Sequence, residues 1–486
     1  MDWYNRSKRN SISAGVSSSF SPSYNSDAYF GPTQMSSYYG NYHPLLPPSS
    51  NPGSNQSPLP LERNSYFLSK LPLYCSDWMF SNGANLDCIA LSSYKEGFTN
   101  TIQVVHGLGY GKEAMIMCEE DGTSGSILPT LSEPRVPDDK IEGFDFHKVA
   151  EIALDYPVTN IQWDPSMHNY NSGFTERLAT SSEVLRLYKV EHDVLDHNSD
   201  YKLAQTHMLV NNTASGTSKG SGYDLVNKYP PLTSFDWNKS DPHIIITSSV
   251  DTTCTVWDLH RSHSVQDTTQ RTTTDTATVK TQLIAHDSEV FDVKFLHNST
   301  NIFASVGNDG SMRIFDLRSL EHSTIIYEPP AVSLSSLNVP LSAEPLSNLL
   351  HSKALLKVSC SNVDQHHLAT FGVNSNQILI IDMRMPGVPV ANIDGSLGST
   401  STASINSIKW HPTSNLLLSG GDDCQALVWD CNALLQPNPA SEVTAIIDTP
   451  VFAYEEDLEV NNVCWRMDKG NWVGVVSGKG FQAVLI

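Results

Sequence analysis

Three copies of one pattern decide the fold of this chain: Thr247-Ser248-Ser249-Val250-Asp251-Thr252-Thr253-Cys254-Thr255-Val256-Trp257-Asp258, Ser305-Val306-Gly307-Asn308-Asp309-Gly310-Ser311-Met312-Arg313-Ile314-Phe315-Asp316 and Ser419-Gly420-Gly421-Asp422-Asp423-Cys424-Gln425-Ala426-Leu427-Val428-Trp429-Asp430. Each copy begins with a small hydroxyl residue and carries an Asp four positions later. An aromatic residue followed by Asp ends each copy, with the aromatic six positions beyond the first Asp. Such self-similarity marks a repeat protein, and β-branched and aromatic residues around a turn predict a strand, a tight turn and a second strand.

The pattern resembles the signature of a WD40 blade, a four-stranded unit of a β-propeller. In such a blade the hydroxyl residue, the turn Asp, the aromatic residue and a His ahead of the first strand form a buried hydrogen-bond network. Weaker copies end at Tyr188 and at Asp382. In the second strong copy Phe315 replaces Trp, so the last link of the network is expected to be missing. The residues assigned to this structural role are Thr247, Asp251, Trp257, Asp258, His286, Ser305, Asp309, Asp316, Ser419, Asp423, Trp429 and Asp430.

Short apolar runs, most of them ending near an aromatic residue, predict the innermost strand of each blade. They are Asp77-Trp78, Ile161-Gln162-Trp163, Phe235-Asp236-Trp237, Asp292-Val293-Lys294-Phe295, Leu356-Lys357-Val358, Ile408-Lys409-Trp410 and Val463-Cys464-Trp465. Seven such strands predict an all-β chain folded as a single seven-bladed WD40 β-propeller over residues 63–486. Seven blades of about 43 residues need a shorter chain. The excess is therefore assigned to long polar loops near 113–145, 207–228, 262–278 and 331–350.

The two ends of the chain carry separate expectations. Residues 1–62 are rich in Ser, Pro, Asn and Tyr and show no period of helix or strand, so we predict a disordered tail. The last repeat stops at Phe481-Gln482-Ala483-Val484-Leu485-Ile486, one strand short of a complete blade. Residues 65–70, just before the first blade, are predicted to supply that outer strand and close the ring, which removes an open sheet edge.

Composition narrows the classes of function. The chain has 30 Lys and Arg against 52 Asp and Glu, a formal net charge of −22, which argues against direct nucleic-acid binding. No stretch has the length of a membrane helix or the form of a signal peptide. The eight cysteines include no CxxC pair, so neither a zinc module nor a disulfide scaffold is predicted. We therefore expect an intracellular protein without a membrane contact, metal, cofactor or small-molecule substrate.

Ser305, His286 and Asp309 have the residue types of a hydrolase triad. The WD40 pattern favours a structural network for the same residues, and no G-x-S-x-G elbow or phosphate-binding glycine loop accompanies them. We therefore predict that the chain is not an enzyme and has no catalytic residues. The adjacent pair His366-His367 precedes a predicted strand, and we interpret it as solvated loop histidines and not as a metal site.

Several stretches closely resemble one WD-repeat family, the TRANSPARENT TESTA GLABRA and anthocyanin-regulator family of plants with its animal relative among the cullin-four-associated (DCAF-type) factors. The central stretches are Pro231-Leu232-Thr233-Ser234-Phe235-Asp236-Trp237-Asn238, Asp251-Thr252-Thr253-Cys254-Thr255, Lys280-Thr281-Gln282-Leu283-Ile284-Ala285-His286-Asp287 and Leu320-Glu321-His322-Ser323-Thr324-Ile325-Ile326-Tyr327-Glu328. Asp423 to Asp430 and Val460 to Val463 also match. The resemblance runs in order from about residue 65 to residue 486, and the tail and long loops have no counterpart.

The resemblance implies a non-catalytic scaffold that assembles regulatory protein complexes in cytoplasm and nucleus. Plant members of the family hold helix-loop-helix and MYB-type transcription factors together, and animal members bind dual-specificity tyrosine-regulated and homeodomain-interacting kinases. The expected partners are therefore protein kinases, transcription factors or both. The acidic segment 113–145 is either a solvated loop or a negative surface that steers basic partners.

A second hypothesis comes from Asp316-Leu317-Arg318 and Asp382-Met383-Arg384, which place an Arg two residues beyond the Asp that ends a repeat. They resemble the D-x-R element with which WD40 substrate receptors dock the damage-binding adaptor of cullin-four ubiquitin ligases. The planar guanidinium suits this role because it makes paired, charge-assisted hydrogen bonds. The alternative is an internal ion pair that braces neighbouring strands.

Overall fold

A computed structural model describes residues 65–81, 86–96, 99–109, 143–169, 175–192, 201–210, 230–266, 273–329, 354–396, 403–435, 444–468 and 470–486. Within these ranges the chain is built from β-strands, with short 3-10 helices at Pro165–Asn169 and Asn432–Leu435. The predicted tail, and most of the predicted loops at 113–145, 207–228 and 331–350, lie outside the described residues. The strands arrange as seven antiparallel four-stranded blades, which confirms the predicted seven-bladed all-β propeller.

The first four blades follow the chain in order, each from its inner to its outer strand. Blade 1 contains β2 (Leu73–Ser81), β3 (Leu86–Ser93), β4 (Asn100–Gly109) and β5 (Phe144–Leu154). Blade 2 contains β6 (Asn160–Trp163), β7 (Arg177–Ser181), β8 (Leu185–His192) and β9 (Tyr201–Leu209). Blade 3 contains β10 (Leu232–Trp237), β11 (Ile244–Ser249), β12 (Thr253–Gln266) and β13 (Thr273–Ile284). Blade 4 contains β14 (Val290–Phe295), β15 (Ile302–Gly307), β16 (Met312–Asp316) and β17 (Ser319–Tyr327).

The remaining blades depart from this simple order. Blade 5 contains β18 (Leu355–Cys360), β19 (His367–Gly372), β20 (Gln377–Asp382) and β21 (Ala391–Asp394). Blade 6 contains β22 (Ile405–Trp410), β23 (Leu416–Gly421), β24 (Gln425–Asp430) and β26 (Phe452–Glu455). Blade 7 contains β27 (Val460–Trp465), β28 (Trp472–Ser477), β29 (Gly480–Leu485) and, from the start of the described chain, β1 (Tyr66–Leu68).

The seventh blade closes the ring with strands from both ends of the described chain. β1 pairs antiparallel with β29, and Phe67 lies opposite Phe481. Phe481 also packs edge-on against Trp78 of blade 1, with ring centroids 5.8 Å apart. The predicted closure by residues 65–70 is confirmed, and the shared aromatic cluster explains why a strand of three residues is held in place.

The inner strands are joined by one continuous circle of hydrogen bonds. In every blade a polar side chain on the inner strand accepts a backbone N–H from the inner strand of the next blade, so the blades are locked in register around the ring. The acceptor–donor pairs are Asp77–Trp163 (2.8 Å), Gln162–Trp237 (3.0 Å), Asp236–Phe295 (2.9 Å), Asp292–Val358 (3.0 Å), Ser359–Trp410 (3.1 Å), Ser407–Val463 (3.4 Å) and Asn462–Ser76 (3.3 Å).

The outer edges differ from blade to blade. β13 of blade 3 pairs in parallel with β9 of blade 2, through Asp275 and His207. The segment after β24 crosses to blade 5, where β25 (Ala445–Ile447) adds in parallel to β21 before the chain returns to blade 6 as β26. These additions cover open strand edges that would otherwise present unpaired backbone groups.

Three of the predicted loop boundaries are wrong. The segment 262–278 is largely a long hairpin, because β12 extends to Gln266 and β13 begins at Thr273. Its polar Thr-rich composition suggested a loop, but Thr is β-branched and suits a strand. β9 extends to Leu209 and β5 begins at Phe144, so the predicted loops 207–228 and 113–145 each overlap a strand end.

Candidate functional site

The D-x-R elements form two almost identical exposed turns at the ends of β16 and β20. Arg318 Nε and Nη2 donate to the two carboxylate oxygens of Asp316 at 2.9 and 2.6 Å, and the backbone N–H of Arg318 donates to Asp316 Oδ1 at 2.9 Å. Arg384 makes the same three bonds to Asp382 at the same distances. The Arg side chains remain 67% and 56% exposed. Each guanidinium is thus held in a fixed orientation at the surface.

The same backbone bond to the Asp that ends a repeat occurs in blades 3 and 6, where His260 and Asn432 stand at the position of the Arg. His260 N donates to Asp258 Oδ1 at 3.0 Å, and Asn432 N donates to Asp430 Oδ1 at 2.8 Å. The Asp therefore accepts a backbone N–H in four blades, within a turn in blades 4 and 5, within β12 in blade 3 and at the start of the 3-10 helix in blade 6. Because this backbone bond forms with His260 or Asn432 at that position, the guanidinium group is not needed for it.

The two arginines belong to different ion-pair environments. The hydrogen bonds from Arg318 lower the pKa of the partly exposed carboxyl of Asp316. Burial opposes ionisation of Asp382, but the bonds from Arg384 outweigh it and lower the pKa of that carboxyl. His367 Nε2 also lies 3.8 Å from Asp382. Each Arg therefore makes an internal ion pair with the Asp of its own turn, as the alternative hypothesis predicted, and in the described structure neither pairs with an acid of a neighbouring blade.

His367 itself corrects a prediction. The residue begins β19, is 3% exposed, and places Nδ1 3.2 Å from Asp364 Oδ2. Burial lowers the pKa of its imidazole, although both nearby carboxylates act in the opposite direction. It is therefore a buried structural histidine and not the solvated loop residue that its adjacent position to His366 suggested.

Large apolar side chains are exposed on β17, which follows the Arg318 turn, and in the turn after Arg384. Seven of the nine residues of β17 are exposed, among them Leu320 and Ile325. The turn after Arg384 reaches this strand, because Gly387 N donates to Ile326 O at 2.8 Å. That turn carries exposed Met385 and Val388. We call Arg318, Leu320, Ile325, Arg384, Met385 and Val388 the blade 4–5 rim.

The blade 4–5 rim has the composition of a protein-binding surface. Met and Arg are enriched in protein interfaces, and exposed apolar groups clustered together mark interaction sites. The outer edge of β17 also carries no further strand among the described residues, unlike the covered edges of β9 and β21. The D-x-R spacing predicts Arg318 and Arg384 from the sequence. The apolar residues of the rim cannot be predicted in this way, because their placement depends on the tertiary contact between blade 5 and β17.

The predicted WD40 hydrogen-bond network forms only in part in each blade. In blade 4 His286 Nε2 lies 2.7 Å from Ser305 Oγ, and His286 Nδ1 lies 3.0 Å from Asp309. Hydrogen bonds from His286 and Ser311 hold the pKa of Asp309 well below its usual range, against the effect of burial. Phe315 has no polar edge and instead stacks on Phe303 with ring centroids 5.0 Å apart.

Blades 3 and 6 make the opposite half of the network. Trp257 Nε1 donates to Thr247 Oγ1 at 3.1 Å, and Trp429 Nε1 donates to Ser419 Oγ at 2.9 Å. Their turn aspartates accept from their own turns: Asp251 from the backbone N–H of Thr253 and Asp423 from that of Gln425, each at 3.2 Å. No blade in the described structure completes a His–hydroxyl–Trp chain.

Two further kinds of site, a catalytic site and a metal site, can be checked against the structure. His286 and Ser305 are at most 1% exposed, so neither side chain meets a substrate from solvent. Among the described residues, one group of Cys, His and acidic side chains lies close enough together to share a cation: Cys88, His106 and Glu176. The search for CxxC spacing missed this group because its members lie on separate strands. No helix in the described part of the chain is long and apolar enough to span a membrane.

Comparison with known proteins agrees with the propeller architecture. The family model described as WD domain, G-beta repeat matches residues 225–258, 277–316 and 387–430. The chain is 36% identical over 464 residues to a WD repeat-containing protein of Saccharomyces cerevisiae, covering 86% of this chain and 76% of the relative. It is 31% identical over 518 residues to a WD repeat-containing protein of Schizosaccharomyces pombe, covering 99% of both.

A third relative carries a more informative name. The DDB1- and CUL4-associated factor 7 homolog of Dictyostelium discoideum is 33% identical over 342 residues, which cover 70% of this chain and 83% of the relative. The chain belongs to the WD-repeat family. The similarity to this relative supports the predicted link to a cullin-four-associated factor, and the predicted link to the plant branch stays a prediction.

Proposed function

We propose that the chain is a non-catalytic platform that assembles regulatory protein complexes, with protein kinases, transcription factors or both as partners, in cytoplasm and nucleus. The observation that carries the proposal is the blade 4–5 rim, an exposed patch of Arg and apolar side chains on a closed ring. A rigid ring presents such a patch without an ordering cost on binding, which favours affinity.

The experiment is proximity labelling in cells with the full chain and with Met385→Asp plus Val388→Asp. Both residues are exposed, so the charges leave the core intact while opposing an apolar partner. The proposal expects kinases or transcription factors among the labelled proteins and at least a tenfold fall of some of them in the variant. Labelling that returns no regulatory protein above background contradicts it.

A second candidate function is that of a substrate receptor of a cullin-RING ubiquitin ligase. The oriented guanidinium groups of Arg318 and Arg384 favour it, because a partner carboxylate or carbonyl can use their remaining N–H donors. The name of the Dictyostelium relative, which is DDB1- and CUL4-associated, supports the same reading.

A binding assay with the purified damage-binding adaptor distinguishes the two functions. The receptor function predicts a stable complex that Arg318→Ala plus Arg384→Ala weakens strongly. The matched control is His260→Ala plus Asn432→Ala, which changes the residue two positions after the repeat-ending Asp in blades 3 and 6. Absence of a complex with the unmodified chain rejects the receptor function and leaves the platform proposal in place.

A further inference from the structure

Cys88, His106 and Glu176 meet where blade 1 contacts blade 2. Cys88 on β3 and His106 on β4 are register partners, and opposite residues of an antiparallel pair share one face of the sheet. Glu176 comes from blade 2, immediately before β7. One potential ligand atom from each residue lies within 4.8 Å of the other two. Three strands of two blades therefore converge on one point.

The polar atoms at this point are buried and incompletely paired. Cys88 is fully buried and Glu176 is 8% exposed. Glu176 Oε2 has no hydrogen-bond partner among the described residues. His106 Nε2 lies 2.9 Å from Glu176 Oε1, but the geometry does not make a hydrogen bond. A buried carboxylate with an unsatisfied oxygen is costly, so a further positive group at this place would relieve the cost.

The donor set selects among cations. A Cys sulfur, an imidazole nitrogen and a carboxylate oxygen are the three ligand types that Zn²⁺ takes in proteins, whereas Ca²⁺ and Mg²⁺ prefer oxygen ligands alone. A thiolate and a carboxylate together balance the charge of a divalent ion. Two bonds of about 2.0–2.3 Å span the separations between these atoms after small side-chain movements.

A four-coordinate zinc site needs one ligand more than these three residues supply. His147 on β5 is the register partner of His106, is exposed, and thus shares its face of the sheet. His147 or a water molecule would complete a four-coordinate site. Cys88, His106 and His147 lie in one row across β3, β4 and β5, with Glu176 of blade 2 facing the row.

We propose that Cys88, His106 and Glu176 form a binding site for one divalent transition-metal ion, with Zn²⁺ as the best match. The ion would join blade 1 to blade 2 through side chains alone. Parallel strand pairing joins β13 of blade 3 to blade 2, and joins β25, from the segment that leads to β26 of blade 6, to blade 5. The metal would join blades 1 and 2 in a comparable way. Metal that binds the folded chain stabilises it by mass action.

The test uses the purified full chain, stripped with a chelator, with separate metal-free samples titrated with Zn²⁺ and with Co²⁺. The proposal expects one equivalent of Zn²⁺ per chain after dialysis, a rise in the melting temperature with Zn²⁺, and a thiolate-to-cobalt charge-transfer band with tetrahedral d–d bands for Co²⁺. The absence of stoichiometric metal overturns the proposal. A cobalt spectrum without the thiolate band also overturns it, because it assigns the metal to other residues.

Substitutions of the three proposed ligands test whether the metal binds at this place. Glu176→Gln, His106→Gln and Cys88→Ser are each expected to weaken Zn²⁺ binding by more than the roughly 10–100-fold that loss of an outer-shell partner costs. Cys254→Ser is the control, a buried thiol in blade 3. If Cys88→Ser does not fold, Glu176→Gln decides, since it keeps the shape of the side chain. Unchanged affinity in Glu176→Gln and His106→Gln shows an ordinary His–Glu contact and overturns the proposal.

Discussion

Two carboxylates of blade 4 each accept a backbone N–H, one in the interior of the ring and one near its surface. Asp292 on β14 is 2% exposed and accepts the backbone N–H of Val358 from blade 5. Asp316 at the end of β16 accepts the backbone N–H of Arg318 from its own turn, and its side chain is 32% exposed. Each has a cation nearby, Lys294 and Arg318 respectively. Burial, and not residue type, separates a group that holds the ring from a group that is available to partners.

The difference follows from the cost of desolvation. Burial disfavours the charge on Asp292, yet Lys294 and Lys357 outweigh this and lower the pKa of that carboxyl. Removing one partner of such a set leaves the others unpaired in the interior, which is expensive. An exposed pair such as Asp316–Arg318 loses little when broken, because water replaces the lost bonds. The ring and the rim can therefore be altered separately.

The largest expected effect comes from deleting residues 65–70. β1 lies on the outside of the ring, yet its loss leaves the edge of β29 unpaired and removes Phe67 from the aromatic cluster. We expect the loss of a single cooperative unfolding transition, measured by circular dichroism on heating, together with association through the open edge. An unchanged melt would show that closure by β1 does not stabilise the ring.

The next effect tests the buried half of the comparison. Asp292→Ala is expected to lower the free energy of unfolding by about 3–5 kcal/mol, because it leaves the N–H of Val358 without its acceptor and the partly buried Lys294 and Lys357 with one compensating carboxylate fewer. Urea unfolding measures the change. The control is Asp316→Ala in the same blade, for which we expect about 1 kcal/mol or less. Equal losses for the two variants would refute the distinction between ring and rim.

The buried His411 makes a third prediction, which concerns how the free energy of unfolding depends on pH. His411 Nδ1 accepts the backbone N–H of Thr413 and Ser414, at 3.0 and 2.8 Å, and Nε2 lies 3.2 Å from Gly470 O. Burial lowers the pKa of this imidazole, although the bond to Gly470 acts in the opposite direction. A proton on Nδ1 would face two donors, so the neutral form is the one that the fold accepts.

The sign of the pH effect follows from the unfolded state. The unfolded chain takes up the proton near pH about 6.5, above the pKa of folded His411. The free energy of unfolding should thus fall as the pH drops below about 6.5. His411→Gln should reduce this slope between pH 7 and 5, whereas substitution of the exposed His322 by Gln should not. Denaturant titrations at several pH values decide; equal slopes in all three proteins contradict the prediction.

The smallest effect is expected on the rim. Arg318→Ala should change the free energy of unfolding by no more than about 1 kcal/mol, because its pair with Asp316 is partly exposed, and Arg384→Ala by up to about 2 kcal/mol, because Asp382 is buried. Thermal unfolding of the double variant is the measurement. A loss larger than the sum of these two effects would mean that the pairs are structural and would remove them from the proposed docking surface.

The repeat pattern predicts the ring well because its signals are local. Asp251 and Trp257 lie within one strand–turn–strand unit, and an aromatic such as Trp163 ends an inner strand, so spacing alone predicts the blades. β25 is different: it is three residues long and its partner belongs to another blade. Nothing in its local sequence specifies that pairing.

The site is predictable only in part, for the same reason. The D-x-R spacing marks Arg318 and Arg384, because each element is contained in one turn. The apolar half of the blade 4–5 rim depends on the contact between Gly387 and Ile326, which is tertiary. Cys88 and Glu176 likewise meet only when two blades pack, so a search for closely spaced ligands does not find them.

The most direct test of the account is quantitative proximity labelling with the unmodified chain, a rim variant and a matched control. The rim variant combines Arg318→Ala, Arg384→Ala and Met385→Asp, and the control is His260→Ala plus Asn432→Ala. The account predicts that the rim variant folds normally and loses labelling of regulatory partners that the control retains. An identical set of labelled proteins for all three chains would contradict it.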